Sequence, residues 1–476
     1  MKKIILSVVM ISALLSSCSE DKLALAPYNA VSDATVLSKE IDFTNAINGA
    51  YGYMVKRGGA NGYGQELIID SEVATDNVIL SQEGRKSNLD GYRFTSTATN
   101  SHFDFYFAAY RSSYNANLVL EQLSKLPSGT FRDNIQGEAL FIRALNHFEL
   151  LRAYGQIPTQ SSSALASLGV AYTTSSDVSL RPSRLTVQES YDKVLGDLNI
   201  AKNLIANNVV ANGHPGKSAV YTLLSRAYLY LGDWANCISN ANLAITSGAG
   251  VCPRTNFVNL WEDLNSSGVL FKARIDIVDA SNPGVAYSQA SGANTKSEYV
   301  ITKELFDLYP ATDIRKTTYI KVGPFGANIY NNIAKYDGRG AGTRNLVDVK
   351  ILRLEEAYLN KAEAEFKLSG GGLASLDAVR SQRYLPFVSG GETGVALFNA
   401  INLERRLEFA FEMDRFYTLK RQGLPVNRSL TQGHLSSGLG TPSVAPFLAA
   451  GDFRWQFPID QGDRDLNPNL QQNPGY

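Results

Sequence analysis

The sequence predicts a mainly α protein, a scaffold of stacked helices that carries long loops and few strands. Three observations predict it. Apolar residues recur at three- and four-residue spacing over several long segments; only one short stretch alternates with period two; and long polar stretches separate the periodic segments.

The helical segments come in order along the chain. Residues 137–154 (GEALFIRALNHFELLRAY) set Phe141, Leu145, Phe148 and Leu151 on one face, and Gly155 with Pro158 ends the run. Residues 187–207 follow Thr186, whose hydroxyl and Glu189 three positions on form a capping box. Residues 216–247 read as two helices joined at Gly232-Asp233. Further helices are expected over 349–368 and 398–421. Within this series, 223–245 (LLSRAYLYLGDWANCISNANLAI) resembles a tetratricopeptide-type helix pair, a unit that stacks on its neighbours into a right-handed superhelix. Residues 269–278 alternate Phe271, Ala273, Ile275 and Ile277 with charged residues, a strand pattern. Irregular chain is expected over 78–92, 279–298, 321–345, 369–373 and 423–454, and loops this long usually bind something.

The N-terminus has the anatomy of an export signal. Lys2 and Lys3 precede an uncharged apolar run over residues 4–15 that is too short to span a bilayer. Leu15-Ser16-Ser17-Cys18 matches the bacterial lipobox, so residues 1–17 are expected to be a lipoprotein signal and Cys18 the acylated residue. Residues 18–30 then form a tether, and 31–476 the folded domain, with an N-terminal part over 31–250 and a C-terminal part over 251–476. No other segment is apolar and long enough to cross a membrane, so attachment rests on lipid.

Composition excludes several classes. There are 45 Lys+Arg against 45 Asp+Glu, so no basic nucleic-acid face is expected. Cys237 and Cys252 either pair or remain buried thiols, and neither outcome makes a disulfide scaffold. His102, His147, His214 and His434 stand apart with no ligand spacing, so neither a metal nor another cofactor is expected. Glu404, Glu408 and Glu412 lie one turn apart on a single helix face near Arg405, Arg406 and Arg415. They read as a structural ion network, with Arg405–Glu408 and Glu412–Arg415 pairs, because glycosidase carboxylates must flank a substrate from two sides. Glu355, Glu356, Glu363 and Glu365 read the same way, and Trp234, Trp261 and Trp455 are assigned to the core.

Five stretches together resemble the SusD/RagB family of Bacteroidetes outer-membrane lipoproteins. After the lipobox they are GEALFIRALNHFELLRAYGQIP (137–158), HPGKSAVYTLLSRAYLYLGDW (214–234), VKILRLEEAYLNKAEAEFKL (349–368), LERRLEFAFEMDRFYTLKR (403–421) and the tail FPIDQGDRDLNPNLQQNPGY (457–476), where Asp460 replaces a usual proline. The resemblance implies four tetratricopeptide-like helix pairs under a loop-rich ligand half. It also implies an exterior-facing position on the outer membrane and a TonB-dependent, SusC-like transporter as partner. The ligand it implies is an oligosaccharide, with peptide binding as the alternative; surface glycoside hydrolysis is a third reading, but no carboxylate pair on separate elements supports it, so the chain is not expected to be an enzyme. In the family the ligand face comes from the loop after the Thr-Asp region and from a mid-chain loop, which correspond here to 78–92 and 279–298. On that basis Arg85, Asn88, Gln289 and Asn294 are expected to meet sugar hydroxyls, with Tyr287 as the stacking platform. Tyr92 is expected to pack against the scaffold.

Overall fold

The computed structural model describes residues 37–55, 62–64, 67–101, 103, 105–207, 213–279, 281–292, 294–339 and 344–476, so the Cys18 reading lies outside the described residues. Helices α1 (Glu40–Val55), α2 (Phe105–Gln122), α3 (Thr130–Tyr154) and α4 (Val187–Leu204) pack each on the next. α5 (Lys217–Leu231) and α6 (Trp234–Ser247) continue the stack, with α5 against α4, and α7 (Leu354–Ser369) lies on both. α8 (Leu373–Arg380) and α9 (Gly394–Glu408) close over α7, and α10 (Arg415–Gln422) follows. The main apolar core runs from Leu37 to Ile459, and smaller clusters lie where α7 meets α8 and α9 and around Ile79, Val300 and Tyr330.

Local chemistry explains these boundaries. The Thr186 hydroxyl accepts from the Glu189 amide at 3.2 Å while the Glu189 carboxylate accepts from the Thr186 amide at 2.9 Å, so α4 starts on its expected capping box. Gly232 has φ 77°, the left-handed turn that ends α5, and Asp233 caps α6 through the Asn236 amide. α3 is longer than its apolar stripe and buried almost all round from Ile135 onward, so its polar residues need partners. Arg143 finds Asp197 of α4 at 2.6 and 2.7 Å, and Tyr172 donates to the same carboxylate.

Besides further short helices, the described residues form ten short strands: β1 (Val78–Leu80), β2 (Val269–Ala273), β3 (Gln289–Ser291), β4 (Asn294–Lys296), β5 (Tyr299–Ile301), β6 (Ile320–Phe325), β7 (Asn328–Ile333), β8 (Val349–Arg353), β9 (Val426–Asn427) and β10 (Phe447–Leu448). The largest sheet has the order β1-β5-β7-β6, antiparallel throughout. Strand β2 stops at Ala273, short of the alternation expected to 278, and two further stretches differ from expectation. Residues 349–353 are a strand paired with β2, and α7 starts only at Leu354. Residues 320–333, expected to be largely irregular, form a hairpin whose turn passes through Gly326 at φ 57°.

The expected helix over 398–421 breaks in two. Between α9 and α10, Phe411 and Met413 both have positive φ. Such backbone is costly, and the ion pairs around it hold it in place. Glu408 meets Arg315, Arg353 and Arg383 at 3.0, 2.7 and 2.9 Å. Glu412 meets Lys335 at 2.5 Å and Arg353 at 2.7 Å, while Arg405 turns to Asp414 and Arg415 to Asp76. A structural network is present as expected, but it bridges separate elements, and neither expected intrahelical pair forms. Glu355 likewise binds Arg383, Glu356 binds Arg226 and Glu363 binds Arg421; Lys361–Glu365 is a true one-turn pair.

Trp261 and Trp455 are buried, whereas Trp234 is only half-buried at the start of α6. Cys237 and Cys252 are separate free thiols. Burial raises both, Cys252 to about 12, so neither is a ready nucleophile.

Candidate ligand-binding face

The pairing of β1 with β5 brings the two expected loops together, because the chain leaving β1 and the chain entering β5 emerge side by side. The Ser81 amide donates to the Glu298 carbonyl at 2.9 Å, and the Ser81 hydroxyl donates to the Ser297 carbonyl. Glu298 itself is fully buried, and its carboxylate organises the first loop. It accepts from Arg85 Nε at 3.1 Å and from the Ser87 amide at 2.6 Å. The Tyr299 hydroxyl ties the same segment by donating to the Ser87 carbonyl at 2.6 Å.

The backbone of this loop is strained. Gln82, Gly84, Lys86 and Asn88 alternate through positive φ, at 73°, 73°, 63° and 55°. Only Gly84 adopts that geometry freely, and a Cβ there would stand 2.6 Å from Glu298 Cγ. The charge-assisted bonds to Glu298 offset the strain. Arg85 is thereby oriented by Nε alone, with its side chain 62% exposed and its two Nη groups unpartnered among the described residues.

The other expected site residues divide. Asn88 is engaged below the surface, donating to the Asp70 carboxylate. Gln289 and Asn294 lie on the β3–β4 hairpin, where Gln289 opposes Lys296 and Ser291 opposes Asn294, so all four side chains share one face. Gln289 is partly exposed and Asn294 exposed. Tyr287 is not a platform. It is fully buried, donates to the Ile68 carbonyl at 3.3 Å, and packs on Tyr336 and Phe411, while burial pushes its phenol well up. Position 287 belongs to a turn that runs beneath the loops, and a large ring there fills the core. Tyr92 packs inward as expected, its hydroxyl on Ser443 at 2.8 Å.

Sequence reasoning missed the third wall of the face, the tip of the β6–β7 hairpin. Phe325 is partly exposed there with the Lys296 ammonium 5.7 Å from its ring centre. The Tyr330 hydroxyl donates to Glu83 at 3.0 Å, which joins the hairpin to the first loop. The one local signal was Gly326 as a turn residue between Phe325 and Ala327, since the runs on either side do not alternate clearly. Arg344 braces the foot of the β3–β4 hairpin through Ser288 and Thr295, beside a cleft of about 520 Å³ that also includes Glu262, Lys321 and Asp337.

Below the face, burial raises the Glu72 carboxyl to about 7, against bonds from the Asn77 side chain and the Phe411 amide that favour its charge. A carboxyl raised from its ordinary 4.5 is protonated more in the folded than in the unfolded chain between those values. Its contribution to stability is therefore full below about pH 4.5 and is lost as pH climbs to about 7. Relative to wild type, Glu72→Gln should gain roughly 3 kcal/mol between pH 4.5 and pH 8 in denaturant unfolding, since one pKa unit is about 1.4 kcal/mol. A difference that stays constant across that range would show that Glu72 is ionised in the fold. Glu72 and Glu298 are both sealed from solvent, so neither can reach a substrate bond. Among the described residues no group of three metal-binding side chains occurs.

A SusD-like family model described as "Starch-binding associating with outer membrane" matches residues 26–229, and the SusD/RagB model, described as "SusD family", matches residues 309–476. The chain belongs to the SusD family. SusD-like protein P2 of Formosa agariphila is 22% identical, with all of both chains covered. A SusD superfamily protein of Bacteroides thetaiotaomicron superposes with a TM-score of 0.80 at 25% identity, covering 92% of this chain and 100% of the other. A SusD-like carbohydrate binding protein of Bacteroides vulgatus gives a TM-score of 0.75 at 18% identity, with 91% and 98% covered.

Proposed function

We propose that the protein is a non-catalytic, lipid-anchored glycan-capture protein of the outer membrane that hands oligosaccharides to a TonB-dependent, SusC-like transporter. The observation that carries this reading is the convergence of three loop walls, 81–88, 289–298 and 324–330, on one side of the sheet around the buried Glu298 anchor. The face offers an aromatic ring, an oriented guanidinium and amides, which are the groups that recognise sugar rings and hydroxyls. Family membership and the carbohydrate-binding relative support it. Arg85, Gln289 and Asn294 are assigned to ligand contact, Asn88 to holding the loop, and Phe325 to stacking in place of Tyr287. The mature protein begins at Cys18, is tethered by residues 18–30 and folds over 31–476.

Calorimetry with oligosaccharides and with peptides tests the ligand class. Saccharide binding without bond cleavage is the expected result, and binding of peptides alone would overturn the reading. The anchor has its own test. No helix among the described residues is long and apolar enough to cross a membrane. Stable attachment through lipid needs more than one acyl chain at about 0.8 kcal/mol per buried methylene. Cys18→Ala should therefore leave uncleaved precursor or released protein. Mature Cys18→Ala protein in the outer-membrane fraction would remove Cys18 from the anchor.

A further inference from the structure

We infer that this face selects acidic glycans, whose rings carry carboxylate or sulfate groups, over neutral ones; the inference rests on the reading of the face as a glycan site. The chain as a whole is electrically balanced, 45 basic against 45 acidic residues. Arginines elsewhere reflect that balance: Arg315, Arg353 and Arg383 are each held by carboxylates. The ligand face departs from it. Arg85, Lys86 and Lys296 gather there, and the carboxylate set among them at the surface, Glu83, already accepts from the Tyr330 hydroxyl.

The arrangement of these cations matters more than their number. Arg85 spends only Nε on Glu298, which tethers its guanidinium and leaves the paired Nη edge without a partner among the described residues on a side chain 62% exposed. That edge gives two parallel N–H donors, the geometry that binds a carboxylate or sulfate end-on. Lys296 has no carboxylate partner among the described residues and is held by the Phe325 ring. A sugar ring stacked on Phe325 would bring its acidic substituent onto that ammonium. Lys296, the last residue of β4, and Glu298, at the bend before β5, are only two residues apart, and Arg85 sits on Glu298. The two cations thus stand on adjoining walls of one face, where successive acidic rings of one chain would meet one and then the other. A neutral glycan needs neither cation, and would leave both desolvated without a partner.

The test uses full-length protein and four probes by calorimetry: an oligogalacturonate for carboxylate, a carrageenan oligosaccharide for sulfate, and maltohexaose and xylohexaose as neutral chains. At least one acidic probe should bind, roughly tenfold or more tighter than either neutral chain, and binding should weaken as salt rises from about 0.05 M to about 0.3 M. Which acidic probe binds tells carboxylate from sulfate. Lys296→Gln, which leaves Glu298 paired, should weaken acidic binding roughly tenfold, and Arg85→Gln with Lys296→Gln should weaken it further, with the Lys296→Gln melting curve unchanged. Neutral chains bound as well as acidic ones would overturn the acidic preference and leave glycan capture standing. So would acidic binding indifferent to Lys296→Gln. Binding of peptides with no glycan bound would instead overturn the proposed function itself.

Discussion

Glu408→Gln should destabilise the protein by about 3–5 kcal/mol, the usual cost of removing one partner from a buried ion pair. Glu408 has no exposed surface and accepts from three arginines, themselves almost fully enclosed. Glutamine keeps the shape but removes the charge, leaving Arg315, Arg353 and Arg383 with too few carboxylates. Burial alone would raise the Glu408 carboxyl, but Arg383, Arg353 and Arg315 hold it well below its ordinary value of 4.5. For a lowered carboxyl the stabilisation is present above the unfolded value and disappears as pH falls through the folded one. The gap between wild type and Glu408→Gln should therefore persist from pH 7 to pH 5 and close only in stronger acid. Denaturant unfolding at several pH values measures it. A gap below about 1 kcal/mol at pH 7 would mean that other groups satisfy the arginines.

Tyr287→Ala should cost about 3–5 kcal/mol, as other truncations of large buried aromatics do. Its ring fills space between Tyr336 and Phe411 beneath the ligand loops, where an alanine would leave a cavity. Tyr287→Phe removes only the bond to the Ile68 carbonyl and should cost about 1 kcal/mol, with glycan affinity unchanged. Thermal unfolding of both variants, together with calorimetry on Tyr287→Phe, separates packing from recognition. A Tyr287→Ala protein with unaltered melting but lost binding would restore the ring as a platform.

The contrast between Tyr287 and Arg85 marks what was legible in the sequence. Helices with a wide apolar stripe and a local cap, such as α4 behind Thr186 and the α5–α6 pair around Gly232, could be placed to within a few residues because their determinants are local. The β6–β7 hairpin was hidden because its strands, rich in Asn and Gly, lack a clear alternation. Strand β8 was hidden because VKILR also fits a helical stripe, and only its pairing with β2 decides the matter. The direction of a loop side chain depends on the same distant contacts. Arg85 points outward because Glu298, far along the chain, holds its Nε. Tyr287 points inward because Ile68 and Phe411 lie beneath it. The ion network follows the same logic: its charges were visible, but their partners sit on other elements.

The Glu298 clamp also separates the job of shaping the first loop from the job of touching cargo. Shape resides in the buried carboxylate, the Ser87 amide and the close approach at Gly84. Contact resides in side chains such as Lys86 and the outer edge of Arg85, which the clamp does not use. The loop is in effect an interchangeable fingertip on a fixed knuckle. Its outward residues can be exchanged to retune what is grasped while the helical stack beneath is left undisturbed.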